Sequence, residues 1–159
     1  MSQEQGSSEP GRAQVRIDSL GHVVLKVRNL EAAERFYGQV LGIPIQSRSE
    51  ASRMTFFTLG AHHDFAVLAV GDEAPDARAD SVGTHHIAFR VAGGLEGLRA
   101  AKTRLEAEGV TVAPVDHGVT RSLYFGDPDG NALELYVDGS EEWRSDPELL
   151  FAPVRKLEL

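Results

Sequence analysis

The chain has 159 residues, of which 42% are hydrophobic and 25% are charged, and these proportions predict a packed globular core. It contains no cysteine, which excludes disulfide bonds, thiolate metal ligands and a cysteine nucleophile and is consistent with a reducing cytoplasm. The net charge of −8, without any cluster of lysine or arginine, argues against nucleic acid or an anionic membrane as a partner.

The first half of the chain predicts one strand, one helix and three further strands. Residues 1–16 are polar, lack the apolar segment of a signal peptide and are expected to form a flexible leader. The stretch LGHVVLKV (20–27) then predicts a strand. Asn29 is a suitable N-cap for the helix that follows, and Gly42 falls where a C′ glycine would end it. The short strands IPIQSR, MTFFTLG and DFAVLAV precede a linker over residues 72–82.

The second half repeats this order. THHIAFRV (84–91) matches LGHVVLKV with His86 over His22, and a helical pattern that ends near Gly109 follows. The strands VTVAPV, TRSLYFG and NALELYV complete the repeat, and the turn DPDG joins the last two. The repeat predicts an α+β fold built from two βαβββ modules. The expected boundaries are a domain over 17–138, with modules at 17–71 and 83–138, and a C-terminal tail over 139–159 that packs on the body or at an interface.

Strand periodicity assigns the polar residues to one face. Neighbouring side chains on a strand point to opposite faces, and the all-apolar face of each first strand should pack against the helices. His22 and His86 therefore point to the opposite, concave side. Glu134 faces the same side from the last strand, and Tyr124 faces it from the strand before.

The two halves differ on this concave side. Alignment of the halves at their strand ends places Val67 where Glu134 lies and Phe57 where Tyr124 lies, so that one half alone supplies a carboxylate. The residues expected to form an apolar wall of the concave side are Val24, Met54, Phe57, Phe65 and Val67.

Two imidazoles and one carboxylate on a shared face predict a site for a divalent first-row metal. When such ligands occupy one face of an octahedron, the other positions stay open, which is the pattern of non-haem Fe(II) oxygenases. Each of His22, His86 and Glu134 taken singly is better explained as an ordinary surface or hydrogen-bonded polar residue. Their quasi-equivalent strand positions favour the metal site.

The chain resembles the vicinal oxygen chelate superfamily, which contains glyoxalase I, antibiotic-resistance proteins, methylmalonyl-CoA epimerase and the extradiol ring-cleaving dioxygenases. The motifs that carry the resemblance are LGHVVLKVRNLEAAERFYGQVLG, HHIAFRV and SLYFGDPDGNALELY. It implies that the paired modules form one half-open, barrel-like mixed sheet around a metal. It also implies that His22, His86 and Glu134 are the metal ligands.

Two further stretches resemble the extradiol branch. AHHDFAV is similar to the segment that bears the acid/base histidine of these enzymes, which falls on His63, and strand parity assigns His63 to the concave face with Phe65 and Val67. DHGVTRSLYF is similar to the segment with a histidine before glycine and a tyrosine before the ligand glutamate, which fall on His117 and Tyr124.

The extradiol resemblance implies an Fe(II) cofactor, with Mn(II) as the alternative, and O2 as a co-substrate that cleaves a catechol-like aromatic diol. Tyr124 would hydrogen-bond the substrate, and His63 would accept a substrate proton and return it as an acid. His117 would support the substrate or close the pocket. Members of the superfamily often pair, so a homodimer is expected.

Other interpretations remain open at this point. Glyoxalase I and the epimerases have a fourth protein ligand on a middle strand, and RMTFFTLG offers none on the concave face, which favours the extradiol branch. A metal-free protein that sequesters an antibiotic is the third class. The sequence leaves undecided whether His22 meets His86 within one chain or between two chains that swap modules. His85 falls on the packing side and is interpreted as a structural neighbour of His86.

Overall fold

The structure is a computed structural model that describes residues 15–78 and 80–159. The leader expected over residues 1–16 therefore lies outside the described residues except for its last two. In the described parts of the chain, no helix has the length and apolar character needed to cross a lipid bilayer.

Each predicted helix and strand has an observed counterpart, and the α+β fold of two βαβββ modules is confirmed. The first module contains β1 (Val23–Val27), α1 (Leu30–Ala33) continued by a π-type segment (Glu34–Val40), β2 (Ile45–Ser49), β3 (Met54–Phe57) and β4 (Phe65–Ala69). The second module contains β5 (Ile87–Arg90), α2 (Gly94–Ala107), β6 (Ala113–Asp116), β7 (Thr120–Gly126) and β8 (Ala132–Asp138). The tail adds 3₁₀ turns at Glu142–Arg144 and Pro147–Phe151 and the strand β9 (Arg155–Lys156).

Local chemistry explains where the helices begin and end. The Asn29 side-chain oxygen accepts hydrogen bonds from the backbone N–H groups of Glu31 and Ala32, at 2.9 and 3.2 Å, as an N-cap does. Gly42 and Gly109 follow the two helices with φ angles of +74° and +78°. Glycine adopts this left-handed conformation without steric cost, so both positions end their helices as predicted.

Hydrogen bonds divide the strands into two sheets, in the orders β1-β4-β3-β2 and β5-β8-β7-β6-β9. The first and last strands of each module pair in parallel, and the other strands pair antiparallel. The family resemblance predicts a single barrel-like sheet, whereas one chain by itself forms two sheets. β1 and β5, which directly follow His22 and His86, are edge strands of these separate sheets.

One hydrophobic core joins the two modules. The aromatic rings of Phe65 on β4 and Phe89 on β5 lie 5.6 Å apart, and those of Phe36 and Phe125 lie 6.3 Å apart. Tyr37 is fully buried and its ring lies 4.7 Å from that of Phe65. The apolar faces of both sheets are therefore packed against each other and the helices, which turns their polar faces outward.

The register of β4 corrects two sequence-based assignments. Val23 pairs with Phe65, and Ile87 pairs with Leu133 in the same way, so Ala66 rather than Val67 occupies the position equivalent to Glu134. Phe56 rather than Phe57 likewise stands where Tyr124 does. A shift of one residue moves every side chain of a strand to the other face.

Three of the five residues predicted to form an apolar wall of the concave side do not lie on that side. Phe57, Phe65 and Val67 are 0%, 1% and 0% exposed and belong to the core beneath the sheet. Val24 and Met54 do share the outward face, with Phe56, Ala66 and Leu68 as their neighbours across the strands.

A buried hydrogen bond ties the first module to the second. The Tyr37 hydroxyl donates to Asp127 Oδ2 at 2.8 Å, in the DPDG turn before β8. Burial and the charge of Asp127 raise the pKa of Tyr37, so the phenol keeps its proton and remains a donor. Arg28 reinforces the contact through an ion pair with Asp129 at 3.0 Å.

Tyr37→Phe is expected to lower the free energy of unfolding by about 1.5–3 kcal/mol, as is typical of a hydrogen bond to a charged group. Urea unfolding followed by circular dichroism measures the change. Tyr136→Phe is the matched control, because among the described residues no protein partner contacts the Tyr136 hydroxyl by a hydrogen bond. Equal destabilisation by the two substitutions would contradict a specific role for the Tyr37–Asp127 contact.

Candidate metal centre

Two of the predicted ligands meet in the second module. Glu134 on β8 is only 7% exposed, and its Oε2 lies 3.0 Å from His86 Nε2. The parallel pairing of Ala88 with Glu134 brings these residues side by side, because His86 stands two residues before Ala88 and shares its face. A carboxylate oxygen and an imidazole nitrogen that converge in this way suit a divalent cation.

Ser122 holds the other oxygen of the carboxylate. Its hydroxyl donates to Glu134 Oε1 at 2.5 Å from the neighbouring strand β7, where it is fully buried. This contact orients Glu134 so that Oε2 faces His86. On the other side of the imidazole, His85 Nδ1 lies 2.7 Å from His86 Nδ1. His85 is therefore a direct neighbour of the His86 ring, but it is exposed and precedes β5, so its assignment to the packing side is wrong.

Ser122→Ala is expected to weaken metal binding by about 10- to 100-fold, the range typical of losing a partner that orients a ligand. Competition with a metal chelator of known affinity measures the change. Ser52→Ala, on an exposed loop, is a matched control that should leave the affinity unaltered. Wild-type affinity in Ser122→Ala would show that this hydroxyl does not tune the site.

His117 and Tyr124 lie beside the same pair. His117 Nε2 is 3.0 Å from the Tyr124 hydroxyl, and the Tyr124 ring lies 5.6 Å from that of His86. Burial and the negative charge of Glu134 raise the pKa of Tyr124 to about 12. At neutral pH the phenol is therefore protonated and can donate a hydrogen bond to an anionic oxygen.

A cavity of about 450 Å³ opens over Glu134, His117 and Tyr124. Ala88, Thr120 and Tyr136 extend its wall, and Trp143 and Leu150 of the C-terminal tail complete it. A volume of this size accommodates a small aromatic molecule. The sequence predicts that the tail packs on the body or at an interface, but it does not predict this contact with the cavity, because an isolated tryptophan outside the repeat carries no positional signal.

The remaining predicted residues meet in the first module. His22, just before β1, lies with His62 and His63 of the β3–β4 loop, and one ring nitrogen from each falls within 4.8 Å of the others. The ring centroids of His22 and His63 are 4.3 Å apart. His63 thus joins His22, but not through strand parity with Phe65 and Val67, since it lies in the loop and those two face the core.

The loop that carries these histidines is organised by Asp64. Its Oδ2 accepts hydrogen bonds from the backbone N–H groups of Leu59 and Ala61, at 2.6 and 3.2 Å. These contacts lower the pKa of Asp64, with the Leu59 N–H as the largest cause. Burial, followed by the charges of His22 and His62, lowers the pKa of His63, which favours its neutral imidazole.

One chain does not bring all three predicted ligands together. Over residues 15–78 and 80–159, only His22, His62 and His63 form a group of three potential ligands this close, and His22 is not grouped with His86 and Glu134. The outward faces around both halves are open, since Val24 is 43% exposed and Ala88 is also exposed. The candidate residues therefore form two separate groups, here called half-sites: His22 with His62 and His63 in the first module, and His86 with Glu134 in the second.

Comparisons with known proteins agree with this architecture. The model of the Glyoxalase/Bleomycin resistance protein/Dioxygenase superfamily matches residues 19–135. The chain is 31% identical over 134 residues to the catechol-2,3-dioxygenase of Bacillus subtilis (strain 168), which covers 81% of this chain and 45% of the relative. It is 37% identical over 122 residues to biphenyl-2,3-diol 1,2-dioxygenase 3 of Rhodococcus globerulus, which covers 75% of this chain and 63% of the relative.

A solved structure gives a closer match in length. The genomically encoded fosfomycin resistance protein FosX from Listeria monocytogenes superposes with a TM-score of 0.60 at 27% identity, over 81% of this chain and 99% of that one. The chain spans less than two thirds of the length of the dioxygenases that it matches. Its relatives thus share the fold and are named for different activities.

Proposed function

The chain belongs to the Glyoxalase/Bleomycin resistance protein/Dioxygenase superfamily, and we propose that it is an Fe(II)-dependent extradiol dioxygenase that cleaves a catechol-like aromatic diol with O2. The observation that carries the proposal is the contact of His86 with Glu134, beside a cavity that Glu134, Tyr124 and His117 line. Similarity to two dioxygenases named for vicinal aromatic diols supports it.

We further propose that the working centre is shared between two copies of the chain in a homodimer. His22 of one copy would join His86 and Glu134 of the other, because one chain leaves these ligands in separate half-sites. The half-sites lie on outward faces next to the edge strands β1 and β5, which a second copy can cover. A twofold axis would then generate two equivalent centres.

The donor set fits the proposed metal, with Mn(II) as the alternative, since both accept two imidazoles and a carboxylate. Bound Fe(II) would lower the pKa of the substrate hydroxyls and leave open positions for the diol and O2. The residues Ser122 and His85 would hold the ligands Glu134 and His86 in place. A glyoxalase-type fourth ligand is not offered by the outward face of β3, which carries Met54 and Phe56.

The residues around the metal ligands would handle substrate and protons. Tyr124, protonated at neutral pH, would donate a hydrogen bond to a deprotonated diol oxygen, and His117 would orient the Tyr124 hydroxyl. His63, neutral and next to His22, would accept the proton of the second hydroxyl and later return it. Trp143 and Leu150 would cover the ring and exclude water.

His63→Ala is expected to retain iron and to lose about 100- to 10,000-fold in turnover, the usual contribution of a general acid–base group. The imidazole is partly buried beside His22, yet it is not one of the three proposed ligands of the shared centre. Iron content by mass spectrometry and steady-state oxygen uptake measure the two effects. Leu59→Ala, in the same loop with a 62% exposed side chain, should change neither.

The reaction itself is tested on protein loaded anaerobically with Fe(II) and exposed to a panel of catechols under O2. Ring-opened product that contains both atoms of ¹⁸O2 would support the proposal. Protein that binds iron and cleaves no catechol would refute it. Assays with a hemithioacetal and Ni(II) or Zn(II), and with fosfomycin, would then identify the glyoxalase-type or resistance-type activity instead. Tight binding of a bulky aromatic antibiotic without metal would indicate sequestration.

A further inference from the structure

We infer that His22, His62 and His63 form a second cation site within a single chain, suited to Zn²⁺. The site goes beyond the proposed reaction, because it uses the histidine side chains of the first module and neither His86 nor Glu134. His62 has no part in the proposed diol cleavage, whereas in this cation site it is a metal ligand.

The geometry of the three rings supports a shared ion. The ring centroids of His62 and His63 are 4.4 Å apart, and those of His22 and His63 are 4.3 Å apart. Zinc binds imidazole nitrogens at about 2.0–2.1 Å, and tetrahedral angles then require nitrogen–nitrogen distances of about 3.3 Å. One nitrogen of each ring already lies within 4.8 Å of the others, so the nitrogens need to approach each other by no more than about 1.5 Å to reach these distances.

The loop between β3 and β4 is built to keep the histidines in this place. Thr58 Oγ1 donates to the Ala61 carbonyl oxygen at 2.7 Å, and Asp64 Oδ2 caps the backbone of the same turn. The Val23 N–H donates to the Asp64 carbonyl oxygen at 3.2 Å, which attaches the loop to the strand directly after His22. A site that is held before the ion arrives loses less entropy on binding.

The chemistry of the ligands selects the ion. Three neutral imidazoles without a carboxylate suit Zn²⁺, Cu²⁺ and Ni²⁺ better than Mg²⁺ or Ca²⁺, which prefer oxygen ligands. His22 and His62 are exposed and His63 is half-buried, so the ion has access from solvent and a fourth position remains for water.

Occupancy of this site has a consequence that rests on the proposed function. His22 cannot ligate Zn²⁺ together with His62 and His63 and also complete the centre that His86 and Glu134 begin. Zinc bound to the first module would therefore withhold His22 from a second copy. Excess Zn²⁺ would oppose assembly of the iron centre, and this effect would require His62.

The experiment titrates chelator-treated full-length protein with Zn²⁺ alone, by calorimetry and by NMR of the histidine ring signals. In the wild type, Zn²⁺ should shift the signals of His22, His62 and His63. His62→Gln should weaken this binding by at least about tenfold, as a lost ligand costs no less than a lost orienting partner. Glu134→Gln and His85→Gln should leave it intact.

The outcomes separate this inference from the proposed function. Wild-type zinc affinity in His62→Gln, or loss of zinc binding in Glu134→Gln, would overturn the three-histidine site. Intact zinc binding in Glu134→Gln together with failure of every catechol assay would support the site and refute the dioxygenase. Zinc inhibition of the iron-loaded wild type that is weaker in His62→Gln would support the competition for His22.

Discussion

Glu134→Gln is expected to lower both the iron content and kcat/KM by more than about 100-fold, beyond the 10- to 100-fold typical of losing a partner that orients a ligand. The glutamine has the same shape and can still accept the Ser122 hydrogen bond, but it lacks the anionic oxygen that would attract Fe(II) to a site with only two imidazoles. Metal analysis after anaerobic loading and oxygen uptake with a catechol measure the two losses. Glu106→Gln, an exposed position on α2, is a charge-matched control.

The same substitution has a spectroscopic signature that does not need the metal. The charge of Glu134 helps to raise the pKa of Tyr124 to about 12, although burial is the larger cause. Removal of the charge should lower the Tyr124 pKa part of the way towards its ordinary value, because an anionic neighbour disfavours phenolate. Ultraviolet titration of the phenolate measures the shift. An unchanged pKa and full iron content would together contradict the placement of Glu134.

The second large effect is the recovery of activity when chains of two inactive variants are combined in one dimer. His22→Ala and His86→Ala should each lose iron and turnover when assayed alone, since each removes one imidazole from every centre. Mixed chains that are refolded or co-expressed should regain about a quarter of wild-type activity. Half of the dimers are then hybrids, and each hybrid holds one intact centre out of two.

Recovery of a quarter of the wild-type activity distinguishes a shared centre from a centre within one chain, because the two arrangements take His22 and His86 from different chains. In a hybrid dimer, the chain with His86→Ala supplies an intact His22, and the chain with His22→Ala supplies an intact His86 with Glu134. A centre built inside one chain would be damaged in both partners, and mixing would restore nothing. Mixed protein without activity, alongside an active wild type, would therefore refute the shared centre. Size-exclusion chromatography with light scattering confirms that the hybrids are dimers.

Strand periodicity predicted the outward face correctly where the strands alternate. β7 and β8 place Leu123 and Leu133 fully in the core, while Tyr124 and Glu134 share the opposite face with Ser122. Each of these strands has one apolar face and one face with polar groups, so a period of two is visible in the sequence. The types and faces of the second-module residues could thus be read from the sequence.

The register of β4 could not be read in this way. FAVLA, the sequence from Phe65 to Ala69, is apolar on both faces, and such a strand gives no alternation from which to choose a side. Pairing with β1 and β3 decided the face, and it sent Phe65 and Val67 into the core. His63 lies beside His22 because of the turn that Asp64 stabilises, and strand periodicity does not apply to residues in a turn.

The repeat, the fold class and the kinds of side chain available for chemistry could all be predicted from the amino-acid sequence. These depend on local periodicity and on turn residues, which act over a few positions. Which of these side chains meet depends on how the two modules pack in three dimensions. The tertiary structure joined His86 to Glu134, placed His22 with His62 and His63, and brought Trp143 over the cavity. These contacts depend on interactions between residues far apart in the sequence, such as Tyr37 with Asp127. No local sequence pattern predicts which sheet edges stay exposed once the core has packed.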